Sequence, residues 1–225
     1  MAALVPAAGQ GVRLAAGTPK AFVPLLGRPL LWHCVQGLLA AGCVELVVVA
    51  VGAQYRDQAR VALADAGKRV RIVTGGAHRS DSVRRALRSV PDAEVVLVHD
   101  AARCLTPVSV VHAVVEAVLA GQRAVVPVLM VVDTIKQVGP DGRVVSTVDR
   151  AALRVVQTPQ GFAGDLLRRA HQAPCGLVTD DAGLVERLGV TVTTVPGHPH
   201  AFKITTPFDL VVAEAVASAV ATGRA

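Results

Sequence analysis

The sequence predicts an α/β fold: a Rossmann-like, mostly parallel twisted sheet with helices on both faces, plus a protruding β-hairpin arm. Three observations carry this. Short β-branched runs alternate with segments of helical periodicity along most of the 225 residues, the rhythm of strand–helix–strand units. The strand candidates read as unbroken apolar runs, as parallel strands buried on both faces do. The alternation fails once, at "VDTIKQVGPDGRVVSTVDR", where two segments of polar–apolar alternation flank a "GPDG" turn, a hairpin signature.

The elements follow in order. "ALVP" is a first strand, and a Gly-rich loop comes after it. "PLLWHCVQGLLAAG" has apolar residues at helical spacing and stops at Gly42. "VELVVVAV" is a buried strand, "AQYRDQARVALADAG" a helix and "RVRIVTGG" a strand. "SDSVRRALRSV" is a helix opening with Ser/Asp cap chemistry. "AEVVLVHDAAR" is a strand running into a loop. "TPVSVVHAVVEAVLAG" is a helix with Thr106 as cap and Pro107 at its first position. "RAVVPVLMV" is a strand, and the arm follows at about 131–150. A hairpin inserted in a doubly wound domain has no core position of its own, so it projects and seeks a partner surface. The α/β pattern then resumes and ends in an Ala/Val-rich helix after Pro207. No repeat or linker divides the chain, so residues 1–225 read as one domain.

Composition narrows the function. Hydrophobic residues make up 52%, enough for a substantial core. Every apolar run is interrupted well before the roughly 18–20 residues of a membrane span. The N-terminus lacks the basic and apolar regions of a signal peptide. Cys34, Cys43, Cys104 and Cys175 are scattered, with no CxxC pair, which points to reduced core thiols in a cytoplasmic protein. The net charge of +6 raises nucleic acid as a ligand, but aromatics are only 3% and no Lys/Arg block stands out. Single cations beside glycines suit a small phosphorylated ligand better.

"VPAAGQGVRLAAGTPKAF" is the most informative stretch. The dinucleotide fingerprint fails at Leu14, where its third glycine belongs. The Walker A pattern fails because Lys20 follows Pro19. What remains is Gly9-x-Gly11-x-Arg13, then Pro19-Lys20. Glycines let backbone N–H groups approach an anion, and two cations in one short loop suit a triphosphate.

That string resembles the signature of nucleotidyltransferases that join NTPs to sugar or polyol phosphates. "GGAHRSDSV", "VHDAARC", "VVDTIKQ", "STVDR", "QTPQGF", "TDDAG" and "FKITTPFDL" stand in the order seen in the 2-C-methyl-D-erythritol 4-phosphate cytidylyltransferase family. The resemblance covers nearly the whole chain. It implies transfer of the cytidylyl group of CTP to the polyol phosphate, release of pyrophosphate, Mg²⁺ as cofactor, and a homodimer joined through the arm. A ribitol-5-phosphate cytidylyltransferase shares this loop chemistry and stays open as an alternative. So does, in a different class, a nucleotide-binding sensor without turnover.

The resemblance also assigns residues. Arg13 and Lys20 match the loop cations that grip the triphosphate, and Lys203 in "FKIT" a third cation at the α-phosphate. Pro6, Ala7, Ala8, Gly9, Gly11, Gly76, Ser82, Asp100 and Ala101 match the CTP-binding positions. Asp100, Arg103, Thr134, Arg150 and Thr179 match the polyol-phosphate side, with Arg150 reaching across a dimer interface. Mg²⁺ is expected on the CTP phosphates, with Asp100 as a possible protein ligand. Three positions depart from the family pattern: Cys104 replaces a usual proline, Ala77 a frequent acidic residue, and Gly183 a usual serine. The attacking phosphate monoester, with a second pKa of about 6, is ionised near neutral pH and needs no general base. His78 and His99 are therefore read as structural.

Overall fold

The computed structural model describes residues 1–9, 18–173 and 179–222. Its strands are β1 (Ala2–Pro6), β2 (Pro24–Leu25), β3 (Arg28–Pro29), β4 (Leu46–Val51), β5 (Val70–Thr74), β6 (Val95–Val98), β7 (Ala124–Met130), β8 (Ile135–Val138), β9 (Val144–Val148), β10 (Arg154–Val156), β11 (Gln160–Ala163) and β12 (Thr193–Pro196). Its α-helices are α1 (Leu30–Ala40), α2 (Arg56–Ala62), α3 (Arg79–Leu87), α4 (Val108–Leu119), α5 (Gly164–Gln172), α6 (Asp181–Glu186) and α7 (Pro207–Ala221). The main sheet runs β10-β7-β11-β6-β1-β4-β5, and β12 also pairs with β7. Pairings β1–β4, β1–β6, β4–β5 and β7–β12 are parallel; β11 runs antiparallel between β6 and β7.

The apolar runs explain the two layers. Successive side chains on a strand face opposite sides. Ala3, Val5, Val47, Val49 and Leu97 enter one core, with α1 and α4 over it; Leu4, Val48, Ala50, Val96 and Val98 enter the other, under α3 and α5. Each fully buried Val or Leu contributes about 1.5–3 kcal/mol, so a polar residue in any of these runs would be costly.

The structure adjusts three local expectations. Helix α3 starts at Arg79, and Asp81 caps it from the third position by accepting the His78 N–H at 3.3 Å. Helix α4 starts at Val108 after Pro107, and the Thr106 hydroxyl instead donates to the Arg103 carbonyl at 2.8 Å. The helix expected over 53–67 is α2 with 3₁₀ turns on either side, the second carrying Gly67 at φ +57°, a conformation glycine adopts without strain. The arm forms as expected. β8 and β9 make a separate two-stranded sheet, turned at Gly142 (φ +78°). Val138, Val144 and Val145 are 58%, 60% and 65% exposed on it.

The thiols of Cys34 and Cys104 are buried, and burial pushes Cys104 up to about 12; Cys175 lies outside the described residues. His99 follows β6 and extends its ladder by donating its N–H to the Leu4 carbonyl at 2.9 Å. It is buried, with Nδ1 2.8 Å from the Thr158 Oγ1, which also accepts the Asp100 N–H at 3.0 Å. A neutral imidazole can accept from that hydroxyl at Nδ1. Burial pushes its pKa down to about 4.

A histidine with a folded pKa below its unfolded value stabilises the fold above the unfolded value. That contribution is lost as pH falls toward the folded one. His99 alone should therefore withdraw about 2 kcal/mol between pH 7.5 and pH 5. Urea unfolding at both pH values checks this. The pH-dependent loss should shrink by about that amount in His99→Gln, and an unchanged loss would contradict the assignment.

Candidate active site

Parallel α/β sheets open a crevice beyond the carboxyl ends of their strands, where the connections diverge to opposite sides. Here that point lies at β1: the chain passes through α1 to β4 on one side, and β6 flanks β1 on the other. A cleft of about 220 Å³ opens there, lined by Pro6, Ala7, Ala8 and Gly9 after β1, Gly76 to Arg79 and Ser82 after β5, Asp100 to Ala102 after β6, and Lys20 and Lys203. It thus gathers all three loop ends and two of the three expected catalytic cations. Gly11 and Arg13 lie outside the described residues.

One wall has a shape only glycine permits. A Cβ on Gly75 would come 2.6 Å from the Ala8 Cβ, and one on Gly76 would overlap the Asp81 Cβ. Close approach of the two backbones forms this wall. The Ser82 hydroxyl accepts the Gly76 N–H at 3.0 Å and donates to the His78 carbonyl at 3.2 Å. Its single proton is spent on His78 and one lone pair on Gly76, so its remaining hydrogen-bonding capacity is that of an acceptor. Arg85 holds the wall from behind, donating to the Gly75 carbonyl at 2.6 Å.

The opposite wall is electrostatic. Asp100 Oδ2 lies 2.8 Å from Lys203 Nζ, its Oδ1 accepts from Arg79 Nε at 3.1 Å, and Arg103 Nε is 3.9 Å away. Burial alone would raise its pKa, but Arg79, Lys203 and Arg103 outweigh it and hold the carboxyl well below the ordinary range. Lys203 is brought here by the neighbouring Ile204, whose N–H bonds the Ala102 carbonyl at 2.9 Å. Lys20 opens a 3₁₀ turn with Ala21 and Phe22 buried behind it, which fixes its backbone at the cleft mouth.

Four other expected residues are not part of the cleft lining. Arg103 donates to the Ala201 carbonyl at 2.7 Å and the Val156 carbonyl at 3.2 Å. Thr134 is exposed at the base of the arm. Arg150 opens a short 3₁₀ turn beside it and donates to the Val132 carbonyl. Thr179 is exposed just before α6. Within one chain these four do not line the cleft.

Two residues that the motif reading passes over are central. Arg79, the first residue of α3, also donates Nη1 to Asp181 Oδ2 at 2.5 Å. Asp181, 1% exposed, has its other oxygen 2.9 Å from His171 Nε2. The arginine in "HRSD" and the second aspartate of "TDD" were the available signals. The glutamines of "QTPQ" brace the surroundings. Gln157 bonds both the N–H and the carbonyl of His198, and Gln160 bonds Asp180 and the Ala182 N–H.

Asp100 is the acidic side chain lining the cleft, and among the described residues no group of three His, Cys, Asp or Glu is placed to hold a metal. This donor set suits a hard divalent ion that takes one carboxylate and draws its other ligands from phosphates and water.

Comparison with known proteins bears on the family and the fold. Residues 1–219 match the family model described as 2-C-methyl-D-erythritol 4-phosphate cytidylyltransferase. The protein of that name from Saccharopolyspora erythraea is 61% identical over 218 residues, covering 95% of this chain and 97% of that one. The one from Nocardia farcinica is 58% identical, covering 94% and 91%. Among solved structures, the enzyme of that name from Thermus thermophilus superposes with a TM-score of 0.78 at 41% identity, covering 96% of this chain and 98% of that one. A 4-diphosphocytidyl-2C-methyl-D-erythritol synthase from Anaerococcus prevotii reaches a TM-score of 0.85 at 26% identity, covering 96% and 95%. The chain belongs to the 2-C-methyl-D-erythritol 4-phosphate cytidylyltransferase family.

Proposed function

We infer that this chain transfers the cytidylyl group of CTP to 2-C-methyl-D-erythritol 4-phosphate, yielding 4-diphosphocytidyl-2-C-methyl-D-erythritol and pyrophosphate in isoprenoid precursor synthesis. Beside family membership, the observation that carries it is the cleft at the β1 switch point, which is lined by both the close-packed glycine turn at Gly76 and the charged groups Lys20, Lys203 and Asp100. A phosphate oxygen of the polyol attacks the α-phosphorus of CTP, and the bond to the β-phosphate oxygen breaks. The main obstacle is repulsion between a dianion and a triphosphate. Fixed cations and in-line positioning lower it.

We assign the roles as follows. Arg13 and Lys20 hold the triphosphate, and Lys203 faces the α-phosphate. Ser82, with the backbone at Ala7, Ala8 and Gly76, receives the base. The Ser82 lone pair favours the amino group of cytosine over the carbonyl of uracil. Pro6, Gly9, Gly11 and Ala101 complete the nucleotide side. Asp100 would hold Mg²⁺ together with the CTP phosphates, and the ion would supply charge neutralisation there.

Arg103, Thr134, Arg150 and Thr179 serve the polyol phosphate. The absence of Thr134 and Arg150 from the cleft lining of one chain, with the exposed valines of the arm, supports a homodimer in which the arm reaches the neighbouring subunit. The whole chain acts as one catalytic domain. Its buried reduced thiols fit a cytoplasmic setting, and among the described residues no helix is long and apolar enough to cross a membrane.

Two outcomes follow. Lys20→Ala or Arg13→Ala should lower kcat about 100- to 1,000-fold, the scale for losing one donor to a developing oxyanion; pyrophosphate release at the wild-type rate would remove the loop from the mechanism. Gly76→Ala should weaken CTP binding about tenfold or more in titration calorimetry, because the new methyl displaces Asp81 and the Ser82 wall. Unchanged affinity would place the base elsewhere. The arm has its own check: mixing Arg150→Ala chains with Lys20→Ala chains should restore activity only in mixed dimers, since one subunit then keeps an intact loop and receives an intact arm. No recovery in an isolated heterodimer would contradict action across the interface.

A further inference from the structure

We propose that Asp181 is a positioning residue for the reaction, fixing the Arg79 guanidinium so that Arg79 aims the Asp100 carboxylate into the cleft. The proposal rests on the assignment of Asp100 to the active site made above.

The geometry is a relay of three side chains. Arg79 leaves the start of α3 and uses two different nitrogens: Nε on Asp100 Oδ1 at 3.1 Å and Nη1 on Asp181 Oδ2 at 2.5 Å. A guanidinium is rigid and planar, so fixing two of its donors fixes its plane. Asp181 is itself held on its other oxygen by His171 of α5 at 2.9 Å. Its backbone sits between Asp180 and Ala182, both bonded by Gln160 of β11. Nothing in this relay except Asp100 and Arg79 borders the cleft.

Stability alone is a poor account of the arrangement. Burying a carboxylate and a guanidinium costs desolvation that their attraction roughly offsets, and apolar residues of similar size would hold α3, α5 and α6 together as well. Orientation is a better one. Of the three cations around Asp100, Lys203 is 42% exposed and is the one assigned to the α-phosphate; Arg103 is farther and committed to two carbonyls. Once Lys203 turns to a phosphate, Arg79 is the close partner that sets where the Asp100 oxygens point. Asp181 is what prevents Arg79 from swinging.

The test is a double-mutant cycle in the full-length enzyme, read as kcat/KM for CTP-dependent pyrophosphate release well below each variant's melting temperature. Asp181→Asn should lower kcat/KM about 10- to 100-fold on the wild-type background. On an Asp100→Asn background it should change it less than about twofold, because a residue acting through Asp100 has nothing left to aim. A purely structural residue would cost the same factor on both backgrounds, and that result overturns the proposal. So does a wild-type rate in Asp181→Asn. If Asp100→Asn alone keeps full activity, the assignment of Asp100 fails as well, and the two failures are thereby told apart. Should Asp181→Asn not fold, Arg79→Lys takes its place in the cycle. It keeps the cation but loses the two-pronged grip, so it should show the same background-dependent loss; equal losses on both backgrounds overturn the proposal.

Discussion

The site is organised around one buried carboxylate. Asp100 stands where β6 ends, at the point of the sheet where connections diverge, and its charge is kept by Arg79, Lys203 and Arg103. An isolated ion at that depth would be costly, so the surrounding cations are required by its presence. Each arrives on a different segment: α3, the 203–204 stretch and the loop after β6. Satisfying one carboxylate therefore brings together three regions distant in sequence. The same gathering of positive charge is the kind of surface a triphosphate requires, so under the proposed function the cations that hold Asp100 would also serve the substrate.

The second constraint is steric. The base wall exists because Gly75 and Gly76 carry no Cβ against Ala8 and Asp81, and because Ser82 spends its only proton on a backbone carbonyl. A wall already tied by close contacts and hydrogen bonds has less freedom to lose when a ligand enters. The cleft thus joins two kinds of lining, one defined by backbone shape and the other by charge.

Much of this was legible in the sequence, and the limits have physical causes. The strand and helix order and the arm with its turn follow from local periodicity and turn chemistry; the gathering of Ala7, Ala8, Gly76, Ser82, Asp100, Lys20 and Lys203 at one place was implied by the family resemblance of the motifs. The antiparallel course of β11 was not legible, because strand direction depends on pairing partners and leaves no local pattern. Helix starts moved by a residue or two, as with Arg79 for α3, because neighbouring Ser and Asp residues compete for the cap. The Arg79–Asp181 pair joins residues 102 positions apart, beyond any spacing argument. Arg103, Thr134, Arg150 and Thr179 are recognisable as motif residues, yet none of them is part of the cleft lining of a single chain, which is why the sequence motifs outrun what one chain's geometry displays.

The central claim is a cytidylyl transfer with a particular base and a particular polyol. Its most direct test is pyrophosphate release by the purified chain with Mg²⁺, offering CTP, UTP, GTP or ATP against 2-C-methyl-D-erythritol 4-phosphate and ribitol 5-phosphate in parallel. The account predicts release with CTP and methylerythritol phosphate, and little with any other pairing. Preferential release with ribitol phosphate, or no release from a folded protein that still binds CTP, would contradict it.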